Sequence, residues 1–260
     1  MALNGPVVTI RKFPAEQITM QDLVRLGALS EETAAFLKKL VVSGYNIFIS
    51  GGTGSGKTTL LNALSQFIPA EERIITIEDN AELQILGAPN LVRLEARNPN
   101  MEGAGEITIR QLIRTALRMR PDRIIVGEVR GAETIDMIQA MSTGHRGSLS
   151  TGHSDSPRDM LRRLETMVLM GMDIPLAAIQ RQIASAIDII IHVGRLRDKS
   201  RKVLEIVEVL DYADGEIQTG CLYEFQETGT GPGGTVTGKW AKKDPLSHTG
   251  KLLSAGYPAP

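Results

Sequence analysis

Short apolar runs alternate with stretches of helical spacing along most of the chain. The runs at 46–50, 73–77, 123–127 and 147–151, with apolar centres and in the last case a Ser/Thr-rich pattern, predict strands, with helices between and after them at 58–67, 109–119, 132–142 and 157–170. Boundary residues agree with this division. Ser30 offers an N-cap to a helix over 31–43, in which Ala34, Leu37, Lys38 and Val41 share a face and which Gly44 ends. Ser156-Pro157 opens the helix at 157–170 with proline at its first position. Strands alternating with helices predict an α/β fold, a mostly parallel sheet covered on both faces.

After Asp188 the pattern changes. Runs at 189–193, 203–210 and 216–225 are separated by Asp198-Lys199-Ser200 and Asp214-Gly215, which predicts a C-terminal antiparallel meander. The glycines, prolines and lysines from Thr228 onward read as a flexible tail over 228–260. At the other end, residues 7–13 read as a short strand stopped by Pro14, within a segment, 1–28, that precedes a main body over 29–227. No internal repeat is present.

Composition narrows the class. The 260 residues are 23% charged and 42% apolar with a net charge of −1, ordinary values that give no electrostatic case for a nucleic-acid or anionic-lipid surface. A compact fold of this size buries about three quarters of its unfolded surface. The single cysteine, Cys221, excludes an internal disulfide and a cysteine-based zinc site and suits a reducing compartment; lying in an expected strand, it reads as a packing residue. No basic-then-apolar leader and no run near twenty apolar residues occurs, so a soluble, non-exported protein is expected.

The chemistry concentrates at strand ends. Residues 51–58 read Gly-Gly-Thr-Gly-Ser-Gly-Lys-Thr, a complete G-x-x-x-x-G-K-[S/T] string between a predicted strand and a predicted helix. Such a string arises by chance in roughly one chain of this length in a hundred. Its glycines let the amides of Gly52, Thr53, Gly54, Ser55, Gly56, Lys57, Thr58 and Thr59 turn toward a phosphate, Lys57 reaches the β- and γ-oxygens, and Thr58 offers a hydroxyl to Mg²⁺. A second G-x-x-x-x-G-K, at 233–239, is followed by Trp240 and preceded by loop composition, and reads as a linker.

The other predicted strands end in Glu78 and Asp79, in Glu128, and in Gly152 and His153. Ligands of open parallel sheets bind beyond the carboxyl ends of strands, so these ends converge on one rim. Glu128, after Arg123-Ile124-Ile125-Val126-Gly127, suits a carboxylate that holds Mg²⁺ opposite Thr58. Glu78 is the favoured general base, with Asp79 and Glu82 as competitors. His153 or His145 can sense γ-phosphate charge, and His153 follows a strand. Arg110, Arg114 and Arg118 share a helix face, and Arg93, Arg97, Arg120 and Arg130 lie nearby in sequence; a solvated or ion-paired face is the first reading of any one of them, with Arg93, Arg97, Arg110 and Arg130 as the candidates for an arginine finger acting in cis or across a subunit interface.

ISGGTGSGKTTLLNAL, TIEDNAELQ, RMRPDRIIVGEVRGAET and TGHRGSLSTGHSDSPRDMLRRLETMV follow one another in the order of a Walker A loop, an acidic box, a Walker B region and a histidine box. With IASAIDIIIHVGRLRD downstream, the chain resembles the secretion and pilus-assembly ATPases of the type II/type IV superfamily, most of all the CpaF-type motor of tight-adherence pili. The resemblance implies a RecA-like P-loop NTPase core over 29–227, using ATP and Mg²⁺, with Lys57 and Thr58 binding nucleotide and metal, Glu78 activating water, Glu128 supporting the metal and His153 monitoring the γ-phosphate. It implies a homo-oligomer, usually a hexameric ring, at the cytoplasmic face of the bacterial inner membrane, docked on secretion or pilus platform proteins and without direct nucleic-acid binding. It also implies an N-terminal domain that closes over the nucleotide and lends arginines. Only 1–28 would remain of that domain and its linker, and a shortened chain is expected.

Two other readings stand beside it. A nucleic-acid translocase on the same core predicts a basic pore and DNA- or RNA-stimulated turnover. A P-loop phosphotransferase predicts an acceptor pocket and a lid, for which 86–105 is the candidate segment.

Overall fold

The computed structural model describes residues 3, 5–10 and 17–258. Its centre is a nine-stranded sheet in the order β3-β2-β4-β5-β1-β6-β7-β8-β9. Strands β1 (Ile47–Ser50), β2 (Ile74–Glu78), β3 (Leu91–Glu95), β4 (Arg123–Val126), β5 (Leu149–Gly152) and β6 (Ile189–Arg195) are parallel neighbours. β7 (Arg201–Ala213), β8 (Glu216–Thr230) and β9 (Val236–Lys242) continue the sheet antiparallel.

Alternation within the parallel strands builds two cores. In β1, Ile47 and Ile49 face one layer and Phe48 the other, which is why the run is apolar at consecutive positions. The first layer is covered by α1 (Met20–Arg25), α2 (Glu31–Val42) and α3 (Lys57–Ser65) through Leu23, Leu37, Leu40, Leu61 and Leu64. The second is covered by α4 (Ile109–Ala116), α5 (Thr134–Ser142), α6 (Pro157–Gly171) and α7 (Leu176–Ala186) through Ile113, Ile138, Leu164 and Ile183. Each such fully buried side chain contributes roughly 1.5–3 kcal/mol over an exposed one. Expected caps are present: the Ser30 and Ser156 side chains accept from the Thr33 and Asp159 amides.

Expected strand and helix limits differ from the observed ones by a few residues at most. Larger differences have identifiable causes. β3 carries polar residues because it is the half-exposed edge strand, and it occupies the segment considered as a lid. β6 pairs antiparallel with β7, as the expected meander requires, and also in parallel with β1, so it joins the two parts of the sheet. Residues 7–10 are exposed and lie outside any strand, and 11–13 of that expected strand lie outside the described residues.

The stretch after Thr228 is folded, contrary to the expectation of a flexible tail. β8 runs on to Thr230, glycines at φ 71° (Gly233) and 80° (Gly234) turn the chain, and β9 returns along it, so the 233–239 string is a hairpin and not a linker. Trp240 donates its indole N–H to Val203 O at 2.8 Å. Leu246 and Leu252, the latter on α8 (Gly250–Ser254), are buried in the first core. Glu208, 1% exposed, accepts from the amides of Ser247 and His248 at 2.8 and 2.7 Å. Glycine-rich composition signalled mobility, but the apolar anchors around it decide the outcome.

Candidate nucleotide site

β1 leaves the sheet at Gly51, where a Cβ would stand 2.2 Å from Val193 O, so only glycine lets the chain turn there. The loop then reaches Gly56 at φ 100°, and α3 starts at Lys57 with its free amides directed at the loop. The Lys57 ammonium is buried and donates to the loop's own carbonyls, Gly51 O at 2.9 Å and Gly52 O at 3.0 Å. Ser55 Oγ, also buried, has no partner among the described residues. Burial is the largest influence on Lys57 and lowers its pKa, Arg130 adds to this and Glu128 opposes it.

Register brings the other strand ends alongside. Ser50 lies beside Gly152, Val126 beside Ser150, and Ile77 beside Val126, so the residues leaving β1, β5, β4 and β2 share one edge. His153 sits with Nδ1 3.3 Å from Lys57 Nζ and Nε2 2.8 Å from Glu128 Oε1. The other Glu128 oxygen accepts from Arg130 at 2.6 Å. Burial pulls the His153 ring below the ordinary imidazole value; Glu128 opposes this, and the charges of Lys57, Arg130 and Arg163 add to it.

Glu78 stands at the end of β2, 5% exposed, with Oε1 accepting from the amides of Glu82 at 2.9 Å and Leu83 at 2.6 Å. Burial raises its pKa above the usual carboxylate range, although those two N–H bonds and Arg93 act the other way. Gly127 makes room for it, since a Cβ there would lie 3.1 Å from Glu78 Cγ. The acidic segment is tied down around it: Arg93 donates to Leu83 O at 3.0 Å and Asn62 accepts from the Gln84 amide at 3.0 Å.

Lys57, Thr58, Glu78, Glu128, Arg130 and His153 thus line one open cleft of about 890 Å³. Thr53, Gly54, Ser55, Gly56 and Thr59 complete its floor, and Asp79 and Glu82 also reach it. Three of the arginine candidates lie elsewhere. Arg97 bonds Gly105 O at 2.7 Å in an exposed loop, Arg93 is engaged with Leu83, and Arg110 is paired at 2.6 Å with the buried Asp136, which also binds Arg114 at 2.7 Å.

Two residues that touch the loop or the strand leading into it were not singled out from sequence. Arg201 donates to Gly54 O at 2.9 Å across 147 positions, a separation at which no local pattern exists. His192 lies opposite Ser50 and bonds its Oγ at 2.9 Å under the loop. Burial, with a smaller contribution from Lys57, lowers its pKa from 6.5, while Asp155 and Asp159 oppose this. The unfolded ring therefore takes up a proton near pH 6.5 and the folded ring does not, so stability falls as pH drops from there toward the folded value. The urea midpoint is expected to fall over that range, and to fall less in His192→Asn; equal slopes would clear His192 as a cause.

The donor set fits a nucleotide and Mg²⁺. Unpartnered Ser55 Oγ, loop amides and a lysine held by two carbonyls and the His153 ring, with no carboxylate on it, suit an anion, and the Thr58 hydroxyl has no partner among the described residues. Among the described residues no group of three or more His, Cys, Asp or Glu could hold a metal alone. Mg²⁺ needs none, because it is held by one or two protein oxygens together with phosphate and water.

A glycine loop on a helix N-terminus, at the carboxyl edge of a parallel sheet whose neighbouring strands end in acids, defines a P-loop nucleotide-binding protein. The chain belongs to the type II/IV secretion system protein family, whose model matches residues 1–230. It is 41% identical over 218 residues to a Mycobacterium tuberculosis protein named for conjugal transfer, covering 84% of this chain and 61% of that one. It is 40% identical over 176 residues to the type IV secretion system protein PtlH of Bordetella pertussis, covering 66% and 52%. The crystal structure of the VirB11 ATPase from the Brucella suis type IV secretion system, in complex with sulphate, matches with a TM-score of 0.61 and 35% identity over 72% of this chain and 54% of that one. The chain spans about three fifths of the length of the first of these relatives. Among the described residues no helix is long and apolar enough to cross a membrane.

Proposed function

We propose that the chain is the motor part of an ATP-hydrolysing secretion or pilus-assembly protein, of the tight-adherence pilus type. One observation carries this reading: the residues leaving four neighbouring parallel strands, Gly51, Glu78, Glu128 and His153, meet around Lys57 in one cleft. On this reading Lys57 and the amides of 52–59 hold the β- and γ-phosphates, and Thr58 and Glu128 are the residues that would hold Mg²⁺. When bound, the metal neutralises phosphate charge. Glu78, fixed through Oε1, presents Oε2 to orient and deprotonate the attacking water. His153 bridges Lys57 and Glu128, a place from which it registers charge at the γ-phosphate. Arg130 is the remaining finger candidate that lines the cleft.

The motor would work as a homo-oligomeric ring, hexameric in the family resemblance, on the cytoplasmic side of the inner membrane against platform proteins. Phosphate release from ATP and Mg²⁺, without any acceptor, tests the reading. Release unchanged by single-stranded DNA is expected; strong stimulation by DNA would favour a translocase, and no release without an added acceptor would favour a phosphotransferase.

A further inference from the structure

The phosphate loop is braced from outside by a strand far along the chain. Arg201, the first residue of β7, gives its Nε–H to Gly54 O at 2.9 Å, and its Cδ lies 3.6 Å from where a Cβ on Gly56 would stand. Its position is fixed by its neighbours. Lys202 donates to Gly27 O at 2.8 Å and rests over the rings of Phe225 and Trp240, while the Val203 amide donates to Ala28 O at 2.8 Å. The terminal guanidinium nitrogens of Arg201 have no partner among the described residues, and the side chain lines the same cleft as Lys57 and Thr58. A guanidinium with one nitrogen on the loop and two unengaged is a fork suited to phosphate oxygens.

We propose that Arg201 is a nucleotide-binding residue, whose guanidinium grips the polyphosphate while its Nε holds the loop in its turn. The inference rests on reading the cleft as a nucleotide site. The amides from Gly54 to Thr58 wrap the β-phosphate in such loops, so the contact serves ADP and ATP alike and does not depend on the γ-phosphate.

Equilibrium binding of ADP and of ATP with Mg²⁺ is measured over a range of salt for the wild-type chain and for Arg201→Ala, Arg201→Gln and Arg201→Lys, with thermal unfolding of each free protein. Glutamine keeps an N–H for Gly54 O and loses the charge; lysine keeps the charge and loses the fork. Loss of a charge-assisted phosphate contact is expected to weaken both nucleotides about tenfold in the alanine and glutamine variants and to flatten the salt dependence. The lysine variant recovers most of the affinity, and the free proteins unfold at the wild-type temperature. Wild-type affinity in Arg201→Gln would reduce Arg201 to a brace for the loop and overturn the proposal, as would wild-type affinity in all three variants. Failure of the wild-type chain to bind either nucleotide would instead sink the reading of the cleft itself.

Discussion

Lys57→Ala is expected to lose nucleotide binding and phosphate release together, each by about 100-fold or more. The lysine is the one cation of the phosphate loop, and charge-assisted contacts to two phosphate groups are together worth about 3 kcal/mol or more. Its pKa is lowered chiefly by burial, so the site strains against holding this charge without an anion. A bound polyphosphate relieves that strain. The substitution also frees Gly51 O and Gly52 O and removes the cation beside His153, so the free protein must be shown to unfold cooperatively before the loss is assigned to binding. Displacement of a fluorescent nucleotide reads the affinity. Binding within a few-fold of wild type would remove Lys57 from the centre of the site and with it the proposed function.

Glu78→Gln is expected to separate the two properties, with turnover reduced about 10²- to 10⁴-fold and ATP still bound. Glutamine keeps an oxygen for the Glu82 and Leu83 amides, so the acidic segment stays in place while the base is gone. The same change should not destabilise the fold. Burial raises the Glu78 pKa above 4.5, so its contribution to stability is present below that pH and is lost as pH rises through the folded value. Ionised Glu78 is therefore a burden at neutral pH that the amide removes, and the unfolding temperature of Glu78→Gln should match or exceed that of wild type. Normal turnover would transfer the role of base to Asp79 or Glu82, which also line the cleft.

Much of this site could be read before the fold was known because its signals are local. The loop string specifies its own backbone: glycine where φ is positive, glycine where Val193 O crowds the turn, and a lysine at the first position of the helix. An apolar run that ends in an acid or a histidine is also local, and Glu78, Glu128 and His153 were legible on that ground. The arginines needed the fold as well: spacing put Arg110 and Arg114 on one face and left an ion-paired face as the first reading, and packing of α4 against α5 supplies the partner, Asp136. The final segment misled because glycine content describes how freely a chain bends, while its outcome depends on what Trp240, Leu246 and Leu252 find to bury against.

The amino-acid order by itself determined β1, β2, β4, β5 and β6 and the helices α2 to α6, because burial of one face or two imposes its period on consecutive residues, and it determined the phosphate loop, whose geometry lies within eight successive residues. Tertiary structure alone decided the partners. The order β2-β4-β5-β1 sets Glu128 against His153 and His153 against Lys57, and the return of β7 lays Arg201 across Gly54. Contacts between residues remote in sequence depend on which strands become neighbours, and that choice is made by the packing of the whole core and not by any stretch of the chain.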